Sequence, residues 1–533
     1  MLIQTKSTCD VFVAGAGIAG IMAAITAAEN GQNVILSSTG AIFSGSSFYP
    51  GTWGLGLIAP ENKADEDDLV QTILNVGCGM ADEKMVRAFV SDISASVEYL
   101  KSLGVSMKKA QNDTQKDFIP CFDHKHRAWN GILFDSAKNV LSDYMEKLHI
   151  QLMPRCEVVD LICKNRCVRG VIVKKDGELF AVECKSAVLA TGGYGGLFEN
   201  RLTTDDVGGT GQYLAMKHGC KLVNMEFMQM MAGYISPCRK TIFNERTFRY
   251  TEMRDDNDED IFKNLPNAQS LLAQRSTYGP FTSRLASKQI DFAIVNANAK
   301  NGVAVHYKKD LQENMPEFIS TYFDWLYENK HLTPNDEIHI AMFAHAANGG
   351  IMISPNAETD TQGLFACGEV TGGMHGADRI GGLSTANGLV FGRKAGASAA
   401  SYAAKSKEKL DYPIFYKAQK LDNVEETRKK LRETMTQTCM VVRTEAKLKA
   451  AVSFIDEALG RCSWTDTENA DETANSRRLF AQLNLAKGIL KAQMLRKESR
   501  GSHYREDYPD ADVNLQKRII VRMENGAITA YFE

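Results

Sequence analysis

The chain has 533 residues, of which 44% are hydrophobic and 24% charged, and its formal net charge at pH 7 is −3. A chain of this length exceeds what one hydrophobic core usually supports, so two or three domains are expected. Charges of both signs are mixed along the sequence without a block of lysine and arginine, which argues against a nucleic-acid partner.

The amino-terminal segment and the cysteines indicate the compartment. Residues 1–10 lead into an apolar strand without a small-residue cleavage site, and no stretch reaches the ~18 uninterrupted apolar residues that a membrane span needs. The cysteines include no CxxC pair, which argues against an iron–sulfur cluster on this chain and a disulfide scaffold. CFDHKHR at 121–127 is interpreted as a polar loop, because no second ligand cluster is spaced to complete a metal site. We expect a cytoplasmic protein with no direct membrane span and no bound metal.

Residues 10–38 read as an apolar strand, a glycine turn, an alanine-rich helix closed by Gly31, and a second apolar strand. Within the turn, Gly15, Gly17 and Gly20 form a GxGxxG pattern that follows a strand and opens a helix, the context that makes this pattern specific. Gly15 permits the tight turn, Gly17 allows a pyrophosphate to approach, and Gly20 lets helix and strand pack closely. The phosphates then lie on a helix N-terminus, where free N–H groups and the dipole favour an anion.

The second strand ends in Ser37 and Ser38, where an acid usually binds the adenosine ribose. A serine can hydrogen-bond a ribose hydroxyl, but it lacks the charge that makes the contact strong. The pattern therefore predicts a dinucleotide, held by the glycines with Ala19 and by these serines, and leaves its identity open at this point.

Two later segments resemble the distant halves of an FAD-binding domain of the glutathione reductase type. SAVLATGGYG, at 186–195, is a strand that runs into a glycine turn containing Thr191 and Gly192. TQGLFACGEVTGGMHGADRIGG, at 361–382, begins with a strand that ends at Glu369. The resemblance gives Glu369 the role of bonding ribityl or ribose hydroxyls, and it implies FAD as the cofactor.

After Gly382 the sequence reads LSTANGLVFGRKAGASAASYAA, a small-residue helix whose start is predicted to be capped by Ser384 or Thr385. In this fold such a helix points its positive end at the flavin pyrimidine ring and favours the reduced anion. The arrangement raises the affinity of the flavin for electrons.

The chain as a whole resembles the succinate dehydrogenase, fumarate reductase and L-aspartate oxidase flavoproteins. The segments that carry the resemblance are GAGIAG, SGSSFYPGTWG, ATGGYG, HGCKLVNMEFMQ, HAANGGI, GEVTGGMHGADRIGG, LVFGRKAG and KESRGSHYREDYP. The resemblance implies an α/β fold with a glutathione reductase-type, Rossmann-like FAD-binding domain at 1–232 and 339–405. It also implies an inserted α+β capping domain at 233–338, a C-terminal helical domain at 406–512 and a β-hairpin tail at 513–533. The KESRGSHYREDYP segment is expected to fasten the helical domain beside the flavin domain.

In these families a dicarboxylate lies over the flavin, and the resemblance assigns its binding to His345 and Arg379. Arginine suits this role because its planar fork grips a carboxylate through two parallel hydrogen bonds. The histidine that carries covalent FAD in some members falls at about Ser46, next to Ser47. FAD is therefore expected to be held non-covalently.

The sequence departs from the family at the arginine that moves the proton. Phe281 takes its place in YGPFTSRLAS, and Arg284 is the predicted replacement because residues three apart share a helix face. RYTEMR, at 249–254, resembles the family's T-E-G segment, which gives Thr251 a substrate-binding role and Glu252 a place in a relay of acids. The alternative arginines are Arg246, Arg254 and Arg275.

A second departure is Met231, where the family has a histidine that contacts the substrate. Methionine suits an apolar group, so the expected substrate is a small carboxylate with one carboxylate and a larger apolar end. The predicted function is FAD-dependent transfer of a hydride and a proton across the C2–C3 bond of this acid. Two alternatives stay open: an L-aspartate oxidase-type dehydrogenase, and an electron-transferring flavoprotein docked on an iron–sulfur or other electron-transfer subunit.

Overall fold

The computed structural model describes residues 1–52, 54–109, 121–313, 315–407, 409–465 and 469–533, so Trp53 of the SGSSFYPGTWG segment lies outside the described residues. The α-helices, numbered in chain order, are α1 (Ile18–Glu29), α2 (Lys63–Val76), α3 (Glu83–Val90), α4 (Ile93–Leu103), α5 (Phe134–Lys147), α6 (Thr210–Lys217), α7 (Ala268–Arg275), α8 (Lys288–Asn296), α9 (Asp310–Glu313), α10 (Glu317–Lys330), α11 (Leu383–Lys405), α12 (Val424–Cys439), α13 (Glu445–Gly460) and α14 (Ala470–Leu495). The β-strands are β1 (Leu2–Ile3), β2 (Thr5–Ala14), β3 (Val34–Ser37), β4 (Leu55–Ala59), β5 (Met107–Lys108), β6 (Ala128–Ile132), β7 (Gln151–Met153), β8 (Glu157–Lys164), β9 (Cys167–Lys175), β10 (Glu178–Leu189), β11 (Leu222–Val223), β12 (Met228–Ser236), β13 (Thr251–Arg254), β14 (Val303–Tyr307), β15 (Ile338–Ala347), β16 (Gly350–Met352), β17 (Leu364–Ala366), β18 (Thr371–Gly372), β19 (Ile414–Phe415), β20 (Ala418–Lys420), β21 (Ser463–Thr465), β22 (Ile519–Glu524) and β23 (Ala527–Phe532).

The largest sheet carries the glycine turn at the end of a central strand. Its strands follow the order β7-β3-β2-β10-β9-β8, and β17 also pairs with β10. β2 runs parallel to both β3 and β10, and Val11, Phe12 and Val13 of β2 are fully buried. A strand buried on both faces reads as a continuous apolar run, which explains why this part of the sequence does not alternate. The α/β class predicted from the sequence is confirmed.

The long helix α11 packs against α1 beside this sheet. Its buried face carries Ala386, Ala395, Ala399 and Ala403, whose small side chains allow two helix backbones to approach closely. Although α11 has 23 residues, no helix within the described ranges is long and apolar enough to cross a membrane.

A four-stranded sheet of order β12-β15-β14-β13 organises the inserted region. β12 and β15 pair antiparallel, and the register shifts between Gln229, which faces Ala346, and Met230, which faces Ala344. His345 is therefore the extra residue of a β-bulge, a feature that re-aims a side chain and is common beside active sites.

The helices α12, α13 and α14 pack on one another and form the C-terminal helical region. The chain then ends in the hairpin β22–β23, whose turn residues Asn525 and Gly526 both have positive φ, at 49° and 79°. β22 pairs with β11 through Leu222 and Val521, so the end of the chain is part of a sheet that also contains β16 and β18.

The segment that follows α14 is buried and dense in ion pairs. Arg496, which is fully buried, donates from Nε to Glu226 at 2.8 Å and from Nη1 to Glu498 at 2.7 Å. Arg443 donates from Nη1 to Nδ1 of His503 at 2.6 Å, and burial followed by the charges of Arg443 and Arg496 lowers the pKa of His503. The segment therefore joins regions distant in sequence instead of fraying into solvent.

Within this segment, the turn at Gly501 and Ser502 contacts the GEVTGGMHGADRIGG stretch directly. The backbone N–H and the hydroxyl of Ser502 both donate to the carbonyl of Ala377, at 3.2 and 3.0 Å. The backbone N–H of Ser283 donates to the carbonyl of Gly501 at 2.7 Å. One loop therefore touches the residue before Asp378 and the residue before Arg284.

Candidate active site

The glycine turn after β2 is shaped by two close backbone contacts. Gly15 has a φ of 113°, and a Cβ there would overlap the carbonyl oxygen of Ala190 at the end of β10. A Cβ at Gly20 would overlap the carbonyl oxygen of Gly15. Both positions therefore require glycine for β2, α1 and β10 to meet at one point.

A cavity of about 570 Å³ opens beside this turn. The residues predicted to bind the cofactor that line it are Gly15, Gly17, Ala19, Ser37, Ser38, Ser46, Ser47, Thr191, Gly192, Glu369, Ser384 and Thr385. Gly20 does not line the cavity, in agreement with its predicted role in packing. The cavity thus brings together segments from both halves of the sequence.

Two helices begin at this cavity. α1 follows Gly17 and α11 follows Gly382, neither glycine can cap its helix with a side chain, and neither first turn has an acidic residue. At α1 the first N–H, of Ile18, donates to Oγ of Ser47 at 3.2 Å, and the helix dipole points into the cavity beside it. The prediction that Ser384 or Thr385 caps α11 was wrong: both residues lie inside the first turn, because Gly382 in the left-handed region ends the preceding loop. The other N–H groups of the first turn and the helix dipole favour anionic groups of a ligand at both positions.

Polar groups around the cavity fit a ligand with phosphates and hydroxyl groups. Thr191 Oγ1 and Gln212 Oε1 are buried without a hydrogen-bond partner among the described residues. Glu369 accepts from the N–H of Ala347 at 2.9 Å, and burial raises the pKa of Glu369 while Ala347 and the charge of Arg379 oppose that rise. Because buried polar groups without partners cost free energy, these atoms fit FAD, whose ribityl chain and diphosphate supply partners.

The cavity also contains residues that the sequence did not indicate. They come from the start of β8, the loop before α6, and the helices α12 and α14. These additional residues include Cys156, Glu157, Val158, Val207, Gly208, Glu425, Arg428, Arg432, Asn475, Arg478 and Gln482. No local pattern predicts them, because only the tertiary fold brings these surface-like helix positions to the cavity.

His345 and Arg379 lie close together near Glu369. Burial, and after it the charge of Arg379, lowers the pKa of His345 to about 3, so the imidazole is neutral. Nδ1 of His345 is buried without a partner in the described part of the chain. Arg379 donates from Nε to Oε1 of Gln229 at 2.9 Å and from Nη1 to the carbonyl of Ile380 at 3.3 Å, which orients its guanidinium and leaves Nη2 for an anion.

Arg284 is paired with the acid that precedes Arg379. Its Nε donates to Oδ2 of Asp378 at 2.8 Å, and the hydroxyl of Thr282 donates to the same oxygen at 2.7 Å. Burial raises the pKa of Asp378 to about 6 against the opposing charge of Arg284, and Oδ1 has no partner among the described residues. The pair joins a permanent cation to a carboxyl group that can exchange a proton near neutral pH.

Phe281 is fully buried and donates its N–H to the carbonyl of Met230 at 2.7 Å, so it is part of the core.

Three side chains converge on Gly279. Cys121 Sγ, Met231 Cε and Glu245 Oε1 lie 3.1, 3.2 and 3.3 Å from where a Cβ of Gly279 would be. The Cys121 thiol donates to Glu245 at 3.3 Å, and burial raises its pKa to about 12.

The structure corrects the expectation for Thr251 and Glu252. Thr251 is buried at the start of β13, where its hydroxyl donates to the carbonyl of Phe248 at 2.8 Å. Glu252 has a side chain 58% exposed and lies nearest Arg254 at the surface. β14 separates β13 from β15, the strand that carries His345, so neither residue is a neighbour of His345 in the sheet.

The alternative arginines have different surroundings. Arg275 is fully buried and donates from Nε to Asp291 at 2.9 Å, an arrangement that serves the core. Arg254 is 37% exposed and pairs with Asp258. Arg246 is buried near Cys121, whose pKa it affects. Arg284 and Arg246 are thus the candidates that the structure brings towards the site.

The family described as FAD binding domain matches residues 10–251 and 265–385, and the family described as Fumarate reductase flavoprotein C-term matches residues 428–530. L-aspartate oxidase from Yersinia pestis is 28% identical, and the alignment covers 98% of this chain and 100% of that protein. The fumarate reductase flavoprotein subunit from Haemophilus influenzae is 25% identical over 97% of this chain and 92% of that protein. The Sdh1 complex of Mycobacterium smegmatis in the apo form shares the fold, with a TM-score of 0.79, 22% identity, and coverage of 99% of this chain and 94% of that chain.

Proposed function

The chain belongs to the family of FAD-dependent oxidoreductases that includes succinate dehydrogenase, fumarate reductase and L-aspartate oxidase, and from this premise we propose that it moves a hydride and a proton across the C2–C3 bond of a small carboxylate. The observation that carries the proposal is the pair His345 and Arg379 beside Glu369 of the FAD cavity. His345 and Arg379 do not line the cavity, but the charge of Arg379 acts on Glu369, which does, so the neutral imidazole and the oriented guanidinium are proposed to bind a carboxylate beside Glu369.

FAD, when bound, supplies the acceptor and donor of the hydride. Arg379 contributes Nη2 of its guanidinium, and Gln229 prevents that guanidinium from rotating away. His345 adds a neutral polar ring, so the charge that anchors the substrate comes from Arg379 alone. Because His345 is neutral, the carboxylate is held without a second cation next to the buried Arg379.

The proton is assigned to the pair Arg284 and Asp378. Arginine does not give up its proton readily, so it needs a partner that titrates. Asp378 is such a partner, because burial raises its pKa to about 6 and it accepts directly from Arg284. In this proposal Arg284 delivers the proton and Asp378 replenishes it.

The far end of the substrate is proposed to be apolar or hydrogen-bond donating. Met231, Cys121 and Glu245 meet at Gly279 and none of the three is a cation, while Arg246, whose charge acts on Cys121, lies beside the acid Glu245 that precedes it in the chain. Phe281 in the core adds no charge. An acid with a single carboxylate fits this composition better than fumarate.

Electrons are proposed to pass to or from a separate electron-transfer subunit. Two observations support this. The Haemophilus influenzae relative is named as a flavoprotein subunit, and the Mycobacterium smegmatis chain that shares the fold comes from an Sdh1 complex. The L-aspartate oxidase alternative is supported by the 28% identity to the Yersinia pestis enzyme, while Met231 and Phe281 count against aspartate as well as fumarate.

FAD is expected to be released by acid precipitation. Ser46 lies at the cavity, where it shares a hydrogen bond of 3.0 Å with Thr203, and none of the described residues that line the cavity is a histidine. Without an imidazole there is no side chain to form the histidyl bond to the flavin. The measurement is visible absorbance in the supernatant after precipitation, and colour that stays with the pellet would show that FAD is covalently attached.

The proposed reaction is tested by reducing the holoenzyme anaerobically and screening unsaturated acids for flavin reoxidation. An enoic acid with one carboxylate and an apolar substituent is expected to reoxidise the flavin faster than fumarate does. Reoxidation by fumarate alone would contradict the proposed substrate class. If no acid reoxidises the flavin while an iron–sulfur protein does, the electron-transferring alternative replaces the enzyme proposal.

A further inference from the structure

The outer wall of the FAD cavity is built by the C-terminal helices. α12 contributes Arg428 and Arg432 to the lining, and α14 contributes Arg478 and Gln482. The match to the FAD binding domain family ends at residue 385, so these side chains lie outside the segment that the family defines. The wall therefore belongs to a different part of the chain from the glycine turn that it faces.

A two-pronged ion pair holds this wall against the central sheet. Arg478 donates from Nε to Oε1 of Glu157 at 2.8 Å and from Nη2 to Oε2 at 2.5 Å. Glu157 begins β8 between Cys156 and Val158, which line the cavity as well. Bidentate pairs of this kind have one preferred geometry, so the contact fixes α14 over the cavity at this point.

A second contact lies on the loop before α6. Nε2 of Gln482 is 2.8 Å from where a Cβ of Gly208 would be, and Arg428 donates from Nε to Oε1 of Gln482 at 3.4 Å. Val207, which precedes Gly208, packs on Gly192: a Cβ at Gly192 would lie 3.2 Å from the side chain of Val207. α14 thus rests on the loop that borders the glycine turns.

The wall also presents a cation, Arg432, on which the charges of Asp205 and Glu199 act without forming an ion pair with it among the described residues. Arg432 donates from Nε to the carbonyl of Gly196 at 3.0 Å, and within the described ranges no carboxylate oxygen lies within 4.0 Å of its guanidinium nitrogens. Three acids that share the lining are already in ion pairs: Glu157 with Arg478, Glu425 with Arg428, and Asp205 with Lys240. Of the other lining acids, Glu369 accepts from the N–H of Ala347 and Asp206 is exposed.

We propose that α12 and α14 form the wall that closes the ADP half of the FAD site, with Arg478 holding that wall on Glu157 and Arg432 providing positive charge for the diphosphate. The start of α1, where the N–H of Ile18 donates to Ser47, lines the same cavity as Arg432, and in this proposal the diphosphate lies between that helix N-terminus and the guanidinium. The proposal concerns how FAD is retained and goes beyond the substrate reaction.

The test measures the rate at which the holoprotein loses FAD during repeated ultrafiltration, from the visible absorbance of the filtrate. Arg478→Ala and Glu157→Gln are each expected to release FAD about tenfold faster, because each removes a charge-assisted pair. Arg432→Ala is expected to release FAD faster by a similar factor at low salt. Added salt should accelerate release from the wild type more than from Arg432→Ala, since salt screens a contact that the variant lacks.

Lys174→Ala is the matched control. Lys174 on β9 forms an ion pair with Asp471 on α14, so it joins the same two regions without lining the cavity. Its release rate should stay within about twofold of the wild type, as expected for a partly exposed pair. The thermal midpoints of the apoproteins separate a local effect from loss of the fold.

Three results would overturn the proposal. The first is a wild-type release rate in both Arg478→Ala and Glu157→Gln. The second is an equal increase in the FAD release rate of Lys174→Ala, which would assign the effect to the packing of α14 on the sheet in general and not to the cavity wall. The third is an unchanged salt dependence in Arg432→Ala, which would remove its charge from the diphosphate. Arg432→Ala keeps the test decisive if Arg478→Ala fails to fold, because Arg432 bonds only one carbonyl among the described residues.

Discussion

Arg379→Lys is expected to lower kcat/KM for the true substrate about 10- to 100-fold while FAD stays bound, since a hydrogen bond to a charged group contributes ~1.5–3 kcal/mol and ~1.4 kcal/mol is a factor of ten. An ammonium is a point charge and cannot form two parallel bonds to a carboxylate. It also cannot keep the contact to Gln229 at 2.9 Å and reach the substrate at the same time. The loss is measured by steady-state kinetics with the flavin content checked by absorbance.

The control for this substitution is Arg393→Lys on α11. Arg393 packs over the ring of Tyr99 at 4.5 Å and donates to Ser96 at 3.4 Å, away from the FAD cavity. Arg393→Lys makes the same chemical change in a neighbouring segment, and this variant is expected to have wild-type kinetics. Full activity of Arg379→Lys would remove Arg379 from the substrate site.

Arg284→Ala is expected to leave the flavin reducible by dithionite and to slow its reoxidation by the substrate about 10²- to 10⁴-fold, the usual contribution of a positioned proton donor. Asp378→Asn should give a smaller loss, because an amide oxygen still accepts from Arg284 and Thr282 while the exchangeable proton is gone. Arg254→Ala is the matched control, since Arg254 is a surface arginine of the same inserted region. Single-turnover kinetics isolate this step.

The pH dependence has a definite sign. Burial raises the pKa of Asp378 to about 6, so the protonated fraction grows as the pH falls through that value. If Asp378 supplies the proton, substrate reduction should accelerate from about pH 7 to about pH 5 in the wild type, and Asp378→Asn should lose this inflection. An Arg284→Ala enzyme at full rate, or an unchanged pH profile in Asp378→Asn, would transfer the role to another group, with Arg246 the next to test.

The FAD-binding half was predictable because its determinants are local. The context of Gly15, Gly17 and Gly20 between strand and helix specifies a backbone shape. The later strand was predicted to end at Glu369; β17 ends at Ala366, and Glu369 lies in the short turn that follows. The cavity contains these segments because each motif fixes its own turn and the parallel sheet aligns the turns at one edge. The wall from α12 and α14 could not be predicted, since amphipathic helix positions do not reveal which surface they face.

The inserted region shows where this reasoning fails. The T-E pair at Thr251 and Glu252 matched a family pattern, yet it lies on an outer strand with Glu252 exposed. Glu245 is the acid that lies beside Cys121 and Met231 instead. A short acidic pattern recurs by chance within a few residues, and only the pairing of strands distinguishes the two positions.

The loop at Gly501 and Ser502 has a consequence for how this enzyme can change. Because it contacts both Ala377 and Ser283, the backbone positions next to the anchoring and the protonating groups are held by one loop. A shift at Gly501, where a Cβ would lie 2.7 Å from that of Ala377, would displace both groups together, so its effects should be strongly epistatic with changes at either one.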